Sequence, residues 1–372
     1  MLSQIALSRC DDYSNFNVKT ALEAAISLLG GIDKFVKPGS KVLIKPNLLA
    51  PCEPESGIVT HPEIIRALIH LLKGIDAHIY VGDSPSVFYD EPQQTKLIWE
   101  KSGIERVAQE EGVELVRFSQ SRWRGKFPLT TWLDKVDYLI SVPKFKTHDL
   151  TLLTGAIKNL FGLIPGRYKL ELHKKFFTPE EFSGMLADLY EAVKPDLTIV
   201  DAVVVLEGEG PSGRGKKKDL GFILSGVDCV SIDSILSSIM GLEPGDILST
   251  QAAARRKMGN ARLEEIDVLG ELPGSFRDRQ FKLPKTTFKY RLPRPIISLI
   301  RKLVRFYPCI DSGLCSRCGA CISTCPQKII VNNGREIKIE HSGCIFCFCC
   351  REVCPNAAIS IKTSLIARLF GL

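Results

Sequence analysis

Two runs of cysteine near the C-terminus constrain this 372-residue chain more than anything else in it. Cys315, Cys318 and Cys321 are spaced two residues apart, and Cys325 follows after three more and is followed by Pro326. The same spacing returns 29 residues later as Cys344, Cys347, Cys350 and Cys354, again followed by a proline, Pro355. A repeat of that kind means two copies of one tight loop, each turning three thiols toward a single point.

Three thiolates from one loop, completed by a fourth, suit a cubane that needs four soft anionic ligands. In the two-cluster ferredoxin arrangement the fourth cysteine of each run serves the other cluster. The spacing therefore predicts two [4Fe-4S] clusters, the first on Cys315, Cys318, Cys321 and Cys354, the second on Cys344, Cys347, Cys350 and Cys325. Zinc and disulfides are the competing uses of paired cysteines. A zinc site takes four ligands, however, whereas eight stand here at iron–sulfur spacing. Cys309 and Cys349 fall outside the pattern; Cys349 reads as a small buried hydrophobe, and Cys309 is assigned no role.

The length exceeds one typical domain, and a C-terminal cluster module over 309–372 leaves ample chain for a large core. With 45% hydrophobic and 24% charged residues the composition is that of a globular protein. Met1 to Ala6 carry no basic n-region, and no apolar run reaches the length of a membrane span, so a reducing, cytoplasmic location is expected. The net charge of +7 is uneven. Ten Lys or Arg and one acid, Asp278, fall in residues 273–308, which makes this segment, with Pro273, Pro284, Pro293, Pro295 and Pro308, a basic, proline-rich connector. Residues 1–272 are mildly acidic.

Within 1–272, strand-like and helix-like patterns alternate. Strands are read at 3–8, 41–44, 78–81, 114–118, 138–142, 197–200 and 221–224, with helices at 17–29, 61–72, 93–111, 151–163, 179–193 and 229–240. This predicts an α/β domain with a mostly parallel sheet and helices on both faces, followed by a small α+β two-cluster ferredoxin-like domain. Ligands of such sheets sit at the carboxyl ends of the strands. Those ends carry Lys45-Pro46-Asn47, Gly82-Asp83-Ser84-Pro85, Pro143-Lys144-Phe145-Lys146-Thr147-His148 and Asp201. Each alone is an ordinary turn or cap; their recurrence at four strand ends points to a shared site.

These segments, with Thr60-His61-Pro62-Glu63 and Thr154-Gly155-Ala156-Ile157-Lys158-Asn159-Leu160-Phe161-Gly162, resemble the motifs of the domain-of-unknown-function family 362. The resemblance covers roughly residues 3–240. Many members of that family join this domain to a two-cluster ferredoxin module, which implies the same architecture here and a site at the strand ends, without naming a substrate.

Other features are weaker. Gly208-Glu209-Gly210-Pro211-Ser212-Gly213 has the letters of a dinucleotide fingerprint, but a charged stretch, Arg214 to Asp219, follows where a helix N-terminus is required. A nicotinamide site is rejected; a basic lid of Arg214, Lys216, Lys217 and Lys218 competes with a plain solvated loop. His70 and His78 read as structural, and His61 as opening a helix. His148 and His173 are the better chemical candidates, although two unpaired histidines do not make a metal motif. Ile296, Ile297, Leu299, Ile300, Leu303, Val304 and Phe306, flanked by Arg294, Arg301, Lys302 and Arg305, form an apolar stripe suited to packing between domains. The alternative is contact with an anionic membrane surface, aided by Leu365, Ile366, Leu369 and Phe370. Nucleic-acid binding lacks any base-reading module.

The expected function is single-electron transfer through the two clusters to a substrate or acceptor at the strand ends, with a protein as electron donor or acceptor. Lys45, Lys144 and Lys158, with Asn47 and Asn159, are candidates to hold a small anion, and Lys146, His148 and Asp83 to act on it. A non-catalytic ferredoxin-type carrier and a redox-sensing binding protein are the alternatives.

Overall fold

The computed structural model describes residues 3–166, 168–277, 281–286 and 306–363. The first strands are β1 (Ser3–Arg9), β2 (Lys41–Pro46), β3 (His78–Asp83) and β4 (Glu114–Arg117). A separate hairpin, β5 (Ser121–Arg124) and β6 (Phe127–Thr130), precedes β7 (Tyr138–Val142), β8 (Lys144–His148) and β9 (Leu152–Thr154). Three longer or later strands, β10 (Leu197–Gly208), β11 (Gly215–Gly226) and β12 (Ile266–Gly270), complete the large domain. Their spatial order is β12-β1-β11-β10-β7-β2-β3-β4, with β8 on β10 and β9 on β8. From β10 through β4 every neighbouring pair is parallel, whereas β11 is antiparallel to both β10 and β1. The sheet is thus mixed and mostly parallel.

Side chains alternate between two cores because strand residues point to opposite faces with period two. Ile5, Leu7 and Leu43 join α5 (Ala156–Asn159), α7 (Pro179–Ala192), α8 (Cys229–Ile239) and α9 (Leu248–Arg255) on one face. Ala6, Val42 and Ile44 join α1 (Asn15–Leu28), α2 (Pro62–Lys73) and α4 (Ile104–Glu111) on the other. Helix α2 shows why such segments form: Pro62 sits at its first turn, Nδ1 of His61 accepts the Glu63 amide at 3.2 Å, and Ile64, Ile65, Leu68, Ile69 and Leu72 are buried at helical spacing.

Several expected elements differ. The helix expected at 93–111 is two, α3 (Pro92–Lys101) and α4, broken at Gly103, whose φ of +73° ends the first. The expected helix at 151–163 begins instead as strand β9, pairing with β8, and only α5 and a 3₁₀ turn at Leu160–Leu163 are helical. Strand β10 runs through Asp201, which lies within it and not at its end. The stretch read as a lid or solvated loop is the start of β11, with Lys216 to Lys218 paired to Glu207, Leu206 and Val205 across a hairpin. His173 lies in helix α6 (Tyr168–Lys175).

The cluster module is built from two short antiparallel ladders, β13 (Phe306–Ile310) with β16 (Ile359–Thr363) and β14 (Ile330–Asn332) with β15 (Ile337–Ile339), and two short helices, Ala320–Ser323 and Cys349–Glu352. The sequence repeat is also a backbone repeat. Arg317, Gly319 and Lys328 have positive φ, and so do Phe346, Phe348 and Ala357, each 29 residues later. The two ligand loops bend the same way although the residues at the bends differ. Phe306 begins β13, while the rest of the apolar stripe with its flanking arginines and lysine, and Leu365, Ile366, Leu369 and Phe370, lie outside the described residues. Among the described residues no helix is long and apolar enough to cross a membrane.

Candidate functional site

The thirteen cysteines are free thiols. Cys315, Cys318, Cys321 and Cys354 surround one small cavity with Ile310, Ile337 and Ile359. Cys325, Cys344, Cys347 and Cys350 surround a second with Ile330 and Ile339. The fourth cysteine of each run is therefore found in the other run's cavity, the exchange that a two-cluster module requires. Backbone amides already aim at sulfur, Phe346 N at Cys344 Sγ (3.4 Å) and Ala358 N at Cys354 Sγ (3.2 Å). Four thiols about an apolar cavity with amide donors fit a [4Fe-4S] cubane. Among the described residues no three His, Cys, Asp or Glu side chains are grouped to hold a single metal ion.

At the carboxyl ends of β2 and β3 a second centre is assembled. Lys45, fully buried, places Nζ 2.8 Å from Oδ1 of Asp83 and donates to the Pro46 carbonyl (3.0 Å) and to Oδ1 of Asn159 (3.2 Å). Oδ2 of Asp83 accepts the Leu48 amide at 2.8 Å. Asn47 Nδ2 donates to the same oxygen of Asn159 (3.3 Å), whose own Nδ2 donates to Ser141 Oγ (2.9 Å). Burial pushes the lysine pKa down and the carboxyl pKa up, and each charge offsets this in the other. The approach depends on Gly162: a Cβ there would stand 2.2 Å from Asp83 Oδ1 and 2.6 Å from Lys45 Nζ.

Helix α5, which carries Lys158 and Asn159, is held from the far side of the core. Asp233 of α8 accepts the amides of Ala156 (2.6 Å) and Ile157 (3.2 Å), taking up donors that a helix start leaves unpaired. Burial raises the Asp233 pKa to about 7. From α6, Lys169 donates to the carbonyl of Ser84, to Ser84 Oγ (3.1 Å) and to the Pro85 carbonyl (2.6 Å), fixing the loop after β3; burial lowers its pKa to about 8. His173 is stacked on Phe182 at 4.5 Å and edge-on to Phe161, and burial lowers its pKa to about 3, so the ring is neutral.

These groups form one side of a cleft of about 640 Å³ including its mouth, and the cluster module forms the other. Thr324, Cys349, Glu352 and Val353 line that wall. Three of them immediately precede Cys325, Cys350 and Cys354, so the cleft lies one residue from ligand positions of both cavities. Glu352 meets His148 of the large domain. Nδ1 of His148 accepts the amides of Leu150 (3.1 Å) and Thr151 (3.4 Å), which leaves the proton on Nε2, 2.9 Å from Oε1 of Glu352. Burial lowers the His148 pKa to about 4. Burial also opposes the Glu352 charge, but His148, Lys158 and His173 around it more than compensate and keep its pKa below the usual carboxylate range. Arg351, 1% exposed, anchors the wall through Asp149 and through the Glu209 carboxylate (3.0 Å) and carbonyl (2.8 Å); Tyr89 donates to the Val353 carbonyl (3.2 Å).

Of the residues singled out in the sequence, Lys45, Asn47, Asp83, Lys158 and Asn159 line this cleft together, with His173. His148 meets the module's Glu352 beside it. Lys146 donates to the Ile58 carbonyl (2.6 Å), and burial with nearby Lys158 lowers its pKa to about 7. Lys144 belongs to a separate buried network: Nζ is 2.8 Å from Asp201 and donates to Tyr13 Oη (2.6 Å), which donates to Asp201 (2.7 Å). Tyr13 stacks on His61 at 3.6 Å. Glu352, Lys169 and Asp233 were not read as site residues; the one sequence hint for Glu352 is an acid inside the ligand run, between Cys350 and Cys354.

The family model described as Domain of unknown function (DUF362) matches residues 42–238, and one described as a 4Fe-4S dicluster domain matches residues 307–355. The chain is 28% identical over 316 residues to the thylakoid-associated protein sll1697 of Synechocystis sp., covering 82% of this chain and 96% of that protein. Over 56 residues, 14% of this chain, it is 32% identical to 93% of a ferredoxin from Methanothermococcus thermolithotrophicus. Among solved structures, the lactate racemase apoprotein from Thermoanaerobacterium thermosaccharolyticum aligns with a TM-score of 0.38 and 11% identity over 60% of this chain and 54% of that one, a likeness too slight to carry an argument.

Proposed function

The chain belongs to the family described as Domain of unknown function (DUF362) and carries a 4Fe-4S dicluster domain, and from that premise we propose that it is an iron–sulfur oxidoreductase whose clusters exchange electrons with a small anionic substrate or acceptor bound in the cleft. The observation that carries this reading is the double wall of the cleft: strand-end lysines and asparagines on one side, residues adjoining the ligands of both cavities on the other. Bound clusters supply single electrons. Cys315, Cys318, Cys321 and Cys354 hold one in this reading, and Cys344, Cys347, Cys350 and Cys325 the other.

The chain's own groups supply the rest. Lys45 and Lys158 attract the anion, and Asn47 and Asn159 orient it. Asp83, held by Lys45 and the Leu48 amide, is the candidate acid–base group, while His148 and Lys146 shape the charge behind the cleft. A redox protein exchanges electrons with the exposed side of the module, where Cys318 is accessible. The Synechocystis relative is described as thylakoid-associated; peripheral membrane contact is proposed here on that ground and is tested by cosedimentation with anionic lipid vesicles.

The deciding experiment is anaerobic reoxidation of the reduced, iron-loaded protein against small anions and against redox proteins. Reoxidation by a small anion that slows at least about tenfold in Asn159→Ala, with cluster content unchanged, supports the reading. Reoxidation by proteins alone makes the chain a carrier and the large domain a docking surface.

A further inference from the structure

We infer that the cleft is a binding site for a small monocarboxylate, received by the ammonium of Lys158. The inference deepens the function proposed above and rests on it for the ligand's redox role, while the binding itself is argued from the cleft alone.

Three lysines, Lys45, Lys158 and Lys169, and two carboxylates, Asp83 and Glu352, line the space. One positive charge therefore remains uncompensated, since the His173 ring is neutral. The bonding pattern identifies it. Lys45 is held by Asp83, Pro46 and Asn159, and Lys169 by Ser84 and Pro85. Lys158 lines the cleft with no hydrogen-bond or ion-pair partner among the described residues; burial lowers its pKa, and the nearby Glu352 carboxylate opposes that shift. Its half-buried ammonium has no acceptor from the described residues, and an incoming carboxylate supplies a charged one.

Two further groups in the same space are unpartnered. Nδ1 of His173, on a ring 7% exposed and locked by Phe161 and Phe182, has no hydrogen-bond partner among the described residues, and neither has Oδ1 of Asn47. A small carboxylate can accept from Lys158 and, with the proton of the neutral ring on Nδ1, from His173, while the Asn47 oxygen, an acceptor itself, is left to water or to a donor on the ligand. The charge balance argues for a single negative charge: a second one would be left against Glu352 and Asp83 without a cation of its own. The enclosed part of the cleft, about 90 Å³ once its open mouth is left out, argues for a ligand of a few heavy atoms.

The test is calorimetric titration of the full-length, iron-loaded, oxidised protein with propionate, succinate, inorganic phosphate and propionamide. Propionate should bind. Succinate and phosphate should bind at least about tenfold more weakly, and propionamide not detectably, because it offers no charge to Lys158. Lys158→Met should weaken propionate roughly 10- to 100-fold, with the cluster signals unchanged, and Lys158→Arg should restore much of the affinity. Equal propionate affinity in wild type and Lys158→Met overturns the inference. So does equal binding of succinate, phosphate or propionamide, or binding of none of the four. If Lys158→Met fails to fold, the ligand series in wild type and Lys158→Arg still decides. Propionate binding without any substrate-dependent reoxidation would remove the redox reading and leave this one standing; reoxidation by an acceptor that ignores Lys158 would do the reverse.

Discussion

Nε2 of His148 lies 2.9 Å from Oε1 of Glu352, joining a strand of the large domain to the helix that carries Cys350. Both side chains are largely removed from solvent, and Nδ1 of His148 is committed to two backbone amides. The contact therefore has one proton arrangement, with imidazole neutral and carboxylate charged. It makes the cluster-binding helix part of the wall of the cleft, so a change in the docking of the module is a change in the shape and charge of the site.

Arg351 holds that docking. Its guanidinium is buried against Asp149 and Glu209, and Arg351→Met removes a cation that two carboxylates face. Breaking one side of a buried ion pair costs about 3–5 kcal/mol. The variant should retain both clusters when prepared anaerobically but lose them faster to a chelator. Hydrogen exchange should rise in β8 and in Cys349–Glu352 while the far strands β1 and β12 stay protected. Unchanged exchange across the interface would show that Arg351 does not govern docking.

The crossed ligand sets predict a specific pattern of iron loss. Cys354→Ala deletes the fourth thiol of the cavity formed by Cys315, Cys318 and Cys321, although Cys354 belongs to the second run in sequence. Iron content should fall by about half or less, and the signal that remains should be the one removed instead by Cys325→Ala. If Cys354→Ala and Cys347→Ala abolish the same spectral signal, the crossed arrangement is wrong.

How far the sequence spoke depended on the range of the interactions. The cluster ligands were legible because their spacing is local, and the strand-end residues because period-two patterns mark where strands stop. Helix and strand were confused at Thr151 to Thr154, where pairing with β8 overrides a run that reads equally well as helix. Asp201 was placed at a strand end because a carboxylate interrupts the apolar run there, whereas the run resumes at Ala202 and the chain continues as β10 through a bulge. The docking residues were invisible for another reason. Arg351 and Asp149 are 202 positions apart, and Asp233 and Ala156 77 apart; no periodicity or motif encodes such pairs.

Lys146 should make stability depend on pH in an unusual direction. Burial lowers its pKa from an ordinary value near 10.5 to about 7, so between these values the unfolded chain binds more protons than the folded one. Stability therefore rises with pH in this window, by about 2 kcal/mol from pH 7 to 9 for this group. The burden of keeping the charge buried is full below about pH 7. Denaturation midpoints of wild type should rise over that range, and those of Lys146→Met, which has no such group, should rise less. Identical slopes would show that Lys146 keeps its ordinary pKa in the fold.

Gly162 offers the sharpest test of the Lys45–Asp83 centre, because the substitution alters no polar group. An added Cβ would come within 2.2 Å of Asp83 Oδ1 and 2.6 Å of Lys45 Nζ, both held in place by other bonds. Neither end is free to swing away without leaving a buried charge poorly paired. Gly162→Ala should therefore lower stability by about 1–3 kcal/mol while leaving the clusters, which are held by another part of the chain, fully loaded. Reoxidation of reduced clusters by a small anion should slow by roughly tenfold or more, as displacement of positioned groups does. The comparison is Gly184→Ala, where nothing lies within 4 Å of the added methyl and α7 favours alanine; this variant should match wild type in rate. Equal rates for Gly162→Ala and Gly184→Ala, with clusters intact, would separate the Lys45–Asp83 pair from the electron-accepting site.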